Sequence, residues 1–133
     1  MNGTPRHRAS GRPIHARWTH LLLPVLLSTA TPAYAHAFLQ RSNPPVGSDL
    51  PASPSAVTIT YTEGVEPDFS TIEVQNAQGA RVDEGHPHLL NGEQRKLSVN
   101  LPKLPPGKYT VTWHVTSVDT HKTEGRFHFT VGP

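Results

Sequence analysis

The sequence predicts an all-β domain, an antiparallel β-sandwich or Greek-key barrel, and three observations predict it. Apolar residues recur at every second position in several short stretches, the signature of half-buried strands. Proline and glycine punctuate those stretches, with 14 prolines and 10 glycines in 133 residues. No stretch carries helical periodicity, and there are no internal repeats.

Residues 36–40 alternate weakly and read as a short opening strand. Asn43-Pro44-Pro45-Val46-Gly47-Ser48 is turn chemistry, since proline presets φ and glycine supplies positive φ. Pro51 and Pro54 extend an irregular connection. Residues 57–62 form the next strand, with Val57, Ile59 and Tyr61 alternating with threonines. The segment Glu63-Gly64-Val65-Glu66-Pro67-Asp68 breaks it. Residues 70–76 resume the period of two with Ile72 and Val74 inward, and Asn76-Ala77-Gln78-Gly79 turns into 80–83. His86-Pro87-His88 and Asn91-Gly92 bracket a loop or a short edge strand. Residues 96–101 alternate through Leu97, Val99 and Leu101. Leu104-Pro105-Pro106-Gly107 then launches the longest strand, 108–118. Tyr109, Val111, Trp113 and Val115 take one face, and Thr110, Thr112, His114 and Thr116 the other. A turn at Glu124-Gly125 leads into the last strand, 125–131, with Phe127, Phe129 and Val131 inward. The count is about seven strands, as in a small sandwich.

Ahead of these elements lies a leader. Ala33-Tyr34-Ala35 is an A-x-A cleavage site, preceded by the apolar run Leu21 to Leu27 and by arginines. The expected division is a cleaved signal peptide, 1–35, and one domain, 36–133. The apolar run is too short to span a bilayer, so the expectation is an exported protein of the periplasm. Four of the twelve basic residues, Arg6, Arg8, Arg12 and Arg17, sit in the leader, which has no acid. Residues 36–133 therefore carry eight basic and ten acidic side chains, net −2. No basic cluster remains there to bind nucleic acid. The chain has no cysteine and its single methionine is Met1, so thiolate metal sites and cysteine catalysis are excluded and the expected mature chain has no sulfur ligand.

Cleavage after Ala35 makes His36 the first residue. A histidine at a free N-terminus offers its α-amine and its ring Nδ1 as one chelate. Asp119-Thr120-His121 follows the longest strand, and in extended chain residues i and i+2 point the same way. An Asp-x-His in a turn is weak by itself, as is an N-terminal histidine. Together they supply three nitrogens and one oxygen, a set that suits a tetragonal Cu(II) centre. Zinc accepts the same donors but prefers a tetrahedron. The nitrogens must shed protons to bind, so binding is expected to weaken in acid.

Several motifs together resemble one family, the periplasmic CopC copper-resistance proteins with their YobA-type members. They are His36-Ala37-Phe38-Leu39; Ser42 to Gly47; Glu63 to Ser70; Leu104 to Val111; and Trp113 to Val131 with Val115, Ser117, Asp119, His121, Gly125, Phe127 and Val131. The resemblance implies an immunoglobulin-like or cupredoxin-like β-sandwich. It also implies one Cu(II) per chain, held by the amine and ring of His36, the carboxylate of Asp119 and the ring of His121. Glu63 corresponds to a family acid that orients a ligand or a bound water; its plain alternative is a solvated turn glutamate. The implied role is a non-catalytic copper carrier or buffer, a monomer whose partners are an inner-membrane transporter of the CopD type or periplasmic copper proteins. Two departures stand out. Many members have glycine where this chain has Thr120, and a β-branched residue tolerates positive φ poorly. The methionine-rich Cu(I) site of some members is absent.

Two other functions fit parts of the pattern. An N-terminal histidine with a second histidine also serves copper-dependent oxidative enzymes, although Asp119 would fill the position that oxygen needs. A structural or accessory sandwich would need neither a processed N-terminus nor Asp119. By strand parity His114 and His128 lie on outer faces. His86 and His88, beside Asp83 and Glu84, form either a weak accessory metal site or a solvated loop.

Overall fold

The computed structural model describes residues 2–5, 10–14 and 36–133. Residues 15–35, with the expected apolar run and cleavage site, lie outside the described residues. The chain divides into two units, Met1–Thr31 and Pro32–Pro133. The described residues of the first have no regular secondary structure. Among the described residues no helix is long and apolar enough to cross a membrane.

The second unit is a two-layer β-sandwich. Its strands are β1 (Leu39–Asn43), β2 (Asp49–Leu50), β3 (Ala56–Tyr61), β4 (Thr71–Gln75), β5 (His88–Leu89), β6 (Lys96–Asn100), β7 (Gly107–Thr116) and β8 (Lys122–Val131). One sheet has the order β1-β3-β6-β5 and the other β2-β8-β7-β4. Every pairing is antiparallel except β2 with β8, which is parallel and two residues long. A pair that short, ahead of Pro51, leaves no readable alternation in the sequence.

Alternation sets what the layers bury. Val57, Ile59, Tyr61, Leu97 and Val99 of the first sheet meet Ile72, Val74, Val111, Trp113, Val115, Phe127 and Phe129 of the second. The Tyr61 ring meets Trp113 edge to face across the sandwich, with centroids 5.3 Å apart. The Tyr109 hydroxyl donates to Pro105 O, a tyrosine corner that ties the start of β7 to the turn before it.

Both edges of the second sheet are covered. Along β8, Gly47 N–H donates to His128 O and Gly132 N–H to Leu50 O, each at 2.7 Å. Along β4 the segment after the Asn76–Gly79 turn lies back, with Val82 N–H on Val74 O at 2.8 Å. There Asp83 stands in for a strand. Its fully buried side chain accepts from Val74 N–H at 2.8 Å, from Gly85 N–H at 2.9 Å and from the Arg81 guanidinium at 2.9 Å. Burial alone would raise this carboxyl, but the Arg81 pairing and the two backbone donors outweigh it, so its pKa lies below the ordinary value.

Two expectations about the last hairpin are corrected. Gly125 is not a turn residue but lies inside β8, opposite Trp113. A Cβ there would come within 2.4 Å of the indole, so the glycine is the recess that admits the ring. The last strand therefore starts at Lys122, not at 125. The actual turn is Ser117-Val118-Asp119-Thr120, closed by Thr120 N–H on Ser117 O and Ser117 N–H on His121 O, both at 2.8 Å. Thr120 sits at φ 73°, the left-handed position that follows a type I turn in three-residue hairpin loops. The chain thus keeps the backbone that a glycine would adopt, and carries the strain of a β-branched residue there.

Three outcomes follow for stability, each readable by urea denaturation. Thr120→Gly should stabilise the domain by about 1 kcal/mol, because relief of the left-handed penalty exceeds the added chain entropy. Gly125→Ala should destabilise it by roughly 1–3 kcal/mol, since Trp113 has to leave its recess. Asp83→Ala should cost about 1–3 kcal/mol by stranding its donors. Because the folded pKa of Asp83 is depressed, its contribution is present above its unfolded value of about 4 and is lost as pH falls through the folded value. The variant should therefore show a shallower acid limb than the wild type.

Candidate metal centre

Residues 36–38 do not enter the β1 ladder as the sequence reading expected; hydroxyls from the bend after β3 and from β8 hold them. The Thr62 hydroxyl accepts from Phe38 N–H at 3.0 Å and donates to His36 O at 3.1 Å, while Thr62 N–H donates to Phe38 O at 2.8 Å. From β8, the Thr123 hydroxyl donates to Ala37 O. Ala37 is fully buried and belongs to the core. His36, one residue earlier, is exposed at the rim.

The β7–β8 turn delivers the other two residues to the same rim. The rings of His36 and His121 stack with centroids 4.6 Å apart and planes 26° from parallel. His121 Nδ1 lies 3.3 Å from Asp119 Oδ1. The His36 ring is also nearly parallel to Phe38, with centroids 6.1 Å apart. Ser117 lies beneath Asp119 and His121. Its hydroxyl donates to Asp119 Oδ1 and accepts from His121 N–H at 3.1 Å. Chiefly because of the Ser117 hydroxyl, and then His121, the Asp119 carboxyl is held below the usual carboxylate range.

Two imidazoles and a carboxylate, with no sulfur nearby, can hold a divalent ion that accepts nitrogen and oxygen donors. An imidazole lone pair lies in the ring plane, so two stacked rings do not aim at one point. Accordingly, no group of three or more His, Asp or Glu side chains among the described residues is gathered at metal-holding distance. For both rings to ligate one ion, the His36 ring has to turn out of the stack. In the full-length chain the His36 nitrogen is also an amide, joined to Ala35.

Glu63 lies in the bend after β3, half-buried and with no hydrogen-bond or ion-pair partner among the described residues. Its neighbours bracket the rim: Thr62 holds residues 36 and 38, and Gly64 O accepts Val118 N–H at 2.9 Å. The remaining histidines lie apart. His114 is on the outer face and pairs with its cross-strand neighbour Glu124 at 2.9 Å. His128 Nδ1 contacts the Thr110 hydroxyl at 3.1 Å on the same face. His86 and His88 are both exposed, and Asp83 is committed to Arg81 and two backbone amides, so no accessory cluster forms around them. Sequence reasoning missed the roles of Thr62, Ser117 and Thr123. For Ser117 a signal existed, because its parity with Tyr109, Trp113 and Val115 turns it inward, where a hydroxyl needs a partner.

Comparison with known proteins agrees with this architecture. The CopC domain model matches residues 39–132. Protein YobA of Escherichia coli K12 is 38% identical over 106 residues, 78% of this chain and 86% of that protein. The copper transport protein CutJ of Bacillus subtilis is 33% identical over 117 residues, 87% of this chain but 22% of CutJ. Among solved structures, CopC from Methylosinus trichosporium OB3b superposes with a TM-score of 0.70 at 34% identity, covering 74% of this chain and 95% of that one. PcoC, a methionine-rich copper resistance protein from Escherichia coli, gives a TM-score of 0.65 at 25% identity, covering 73% and 99%. With its sandwich, its matching motifs and these relatives, the chain belongs to the CopC domain family.

Proposed function

We propose that the chain is a periplasmic Cu(II) carrier or buffer that acts after cleavage at Ala35 and binds one ion per mature chain. The ion is held by the amine and ring of His36, the carboxylate of Asp119 and the ring of His121. The observation that carries this reading is the stacking of His36 on His121, which itself pairs with Asp119 across a separation of 83 or more positions from His36, at one rim of a CopC-family sandwich. The donors favour Cu(II) over Cu(I), which prefers thiolate or thioether. Copper resistance and copper transport proteins among the relatives support the choice of metal.

Cleavage is the step that completes the site. It converts an amide nitrogen, which has no free lone pair for a metal, into an amine. The amine and the turned ring then chelate together, and Asp119 and His121 fill the remaining equatorial positions. A site filled by four protein donors stores or passes on an ion rather than activating oxygen, so no catalysis is assigned. Glu63 orients a ligand or a bound water from the bend beside Thr62. The chain acts as a monomer and exchanges copper with a membrane transporter of the CopD type or with other periplasmic copper proteins. In support, a CopC-like region is a minor part of the much longer CutJ.

The test is a Cu(II) titration with EPR on protein that begins at His36. His36→Ala, Asp119→Ala and His121→Ala should each weaken binding beyond the roughly 10- to 100-fold that follows loss of an orienting partner, with the urea midpoint little changed. One extra residue ahead of His36 should also weaken binding with every side chain intact. Undiminished Cu(II) affinity in the extended chain would remove the amine from the site, and undiminished affinity in His121→Ala would remove that ring.

A further inference from the structure

We propose that Ser117 is the positioning residue of this site, its buried hydroxyl holding Asp119 and His121 in place before the ion arrives; the inference rests on the copper reading above. Ser117 is fully buried, at 0% exposure. Its Oγ touches the Asp119 carboxylate, His121 N–H at 3.1 Å and His121 O at 3.1 Å. A hydroxyl has one proton to give. The carboxylate is charged and the carbonyl is not, so the carboxylate takes it. The oxygen meanwhile accepts from the His121 amide. One atom therefore fixes the side-chain direction of one ligand and the backbone of the other.

The hairpin does not need that atom in order to close. Ser117 N–H already donates to His121 O and Thr120 N–H to Ser117 O, both at 2.8 Å, above a ladder of β7–β8 pairs that starts at Thr116 and Lys122. What the hydroxyl adds is aim. Asp119 is exposed at the tip of a turn, where a carboxylate otherwise samples several rotamers. Holding it in advance removes part of the ordering cost that binding would have to meet. The turn also contains Thr120 at φ 73°, a strained residue between the two ligands. A buried tether from below keeps that strain from being released by rotation of the tip.

The experiment uses the mature chain from His36 and Cu(II) as the probe. Ser117→Ala should lose roughly 10- to 100-fold in Cu(II) affinity and change the EPR spectrum. Ser117→Thr, which keeps the hydroxyl, should restore both. In an Asp119→Ala background the Ser117→Ala change should cost less than it does alone, because part of its action passes through that carboxylate. A folded Ser117→Ala protein with wild-type affinity and spectrum would overturn the inference while leaving the copper reading intact, provided His121→Ala loses binding. A wild type that takes up no Cu(II) would overturn both. Should Ser117→Ala fail to fold, Ser117→Thr decides: wild-type affinity and spectrum support the inference, and a folded variant that loses both overturns it.

Discussion

The arrangement at the rim depends on three residues of extended chain held between two sheets. Ala37 is buried in the core, Thr62 just past the end of β3 binds its neighbours on either side, and Thr123 of β8 binds its carbonyl. Chain outside a sheet ladder frays unless something ties it down. Here the ties come from both layers, so the position of His36 is set by the packing of the sandwich itself. If the two sheets slid apart, Thr62 and Thr123 would separate and the histidine would lose its place beside His121.

The opposite wall of the site depends on a different device. The β7–β8 hairpin is the longest pairing among the described residues, and three ladder pairs carry it from Trp113 and its glycine recess to the tip. That firm base lets the tip hold an unfavourable residue, Thr120, in the left-handed region. The bend after β3 is laced to the same hairpin by the Val65–Ser117 bridge and by Glu66 N–H on Thr116 O at 2.8 Å. Glu63, Glu66, Asp68 and Asp119 are therefore carried by two segments fastened to each other.

Strain and firmness are matched elsewhere in the fold as well. Asp83 buries a carboxylate at the edge of β4 and stays ionised, because one guanidinium and two amides surround it. This closes a sheet edge that would otherwise offer free N–H groups to another chain. The opposite edge is closed by residues 47–50, a stretch that, coming after Pro44 and Pro45 and ahead of Pro51, reads only as a turn.

The sequence by itself determined the class of fold and the identity of the strands, because alternation with period two is a local property and every long strand carries it. It also determined the candidate ligands, since a small-residue A-x-A pattern ahead of a histidine and an Asp-x-His after a strand are local patterns. Their meeting was legible only through resemblance. Contact between residues 36 and 121 is a matter of which strands lie side by side, and no local pattern encodes that. The tertiary structure alone decided that Gly125 is a recess and not a turn, that β2 pairs in parallel, and that Thr62, Ser117 and Thr123 carry the rim. Each of these depends on a neighbour distant in sequence: an indole, a strand edge, or a backbone group awaiting a partner.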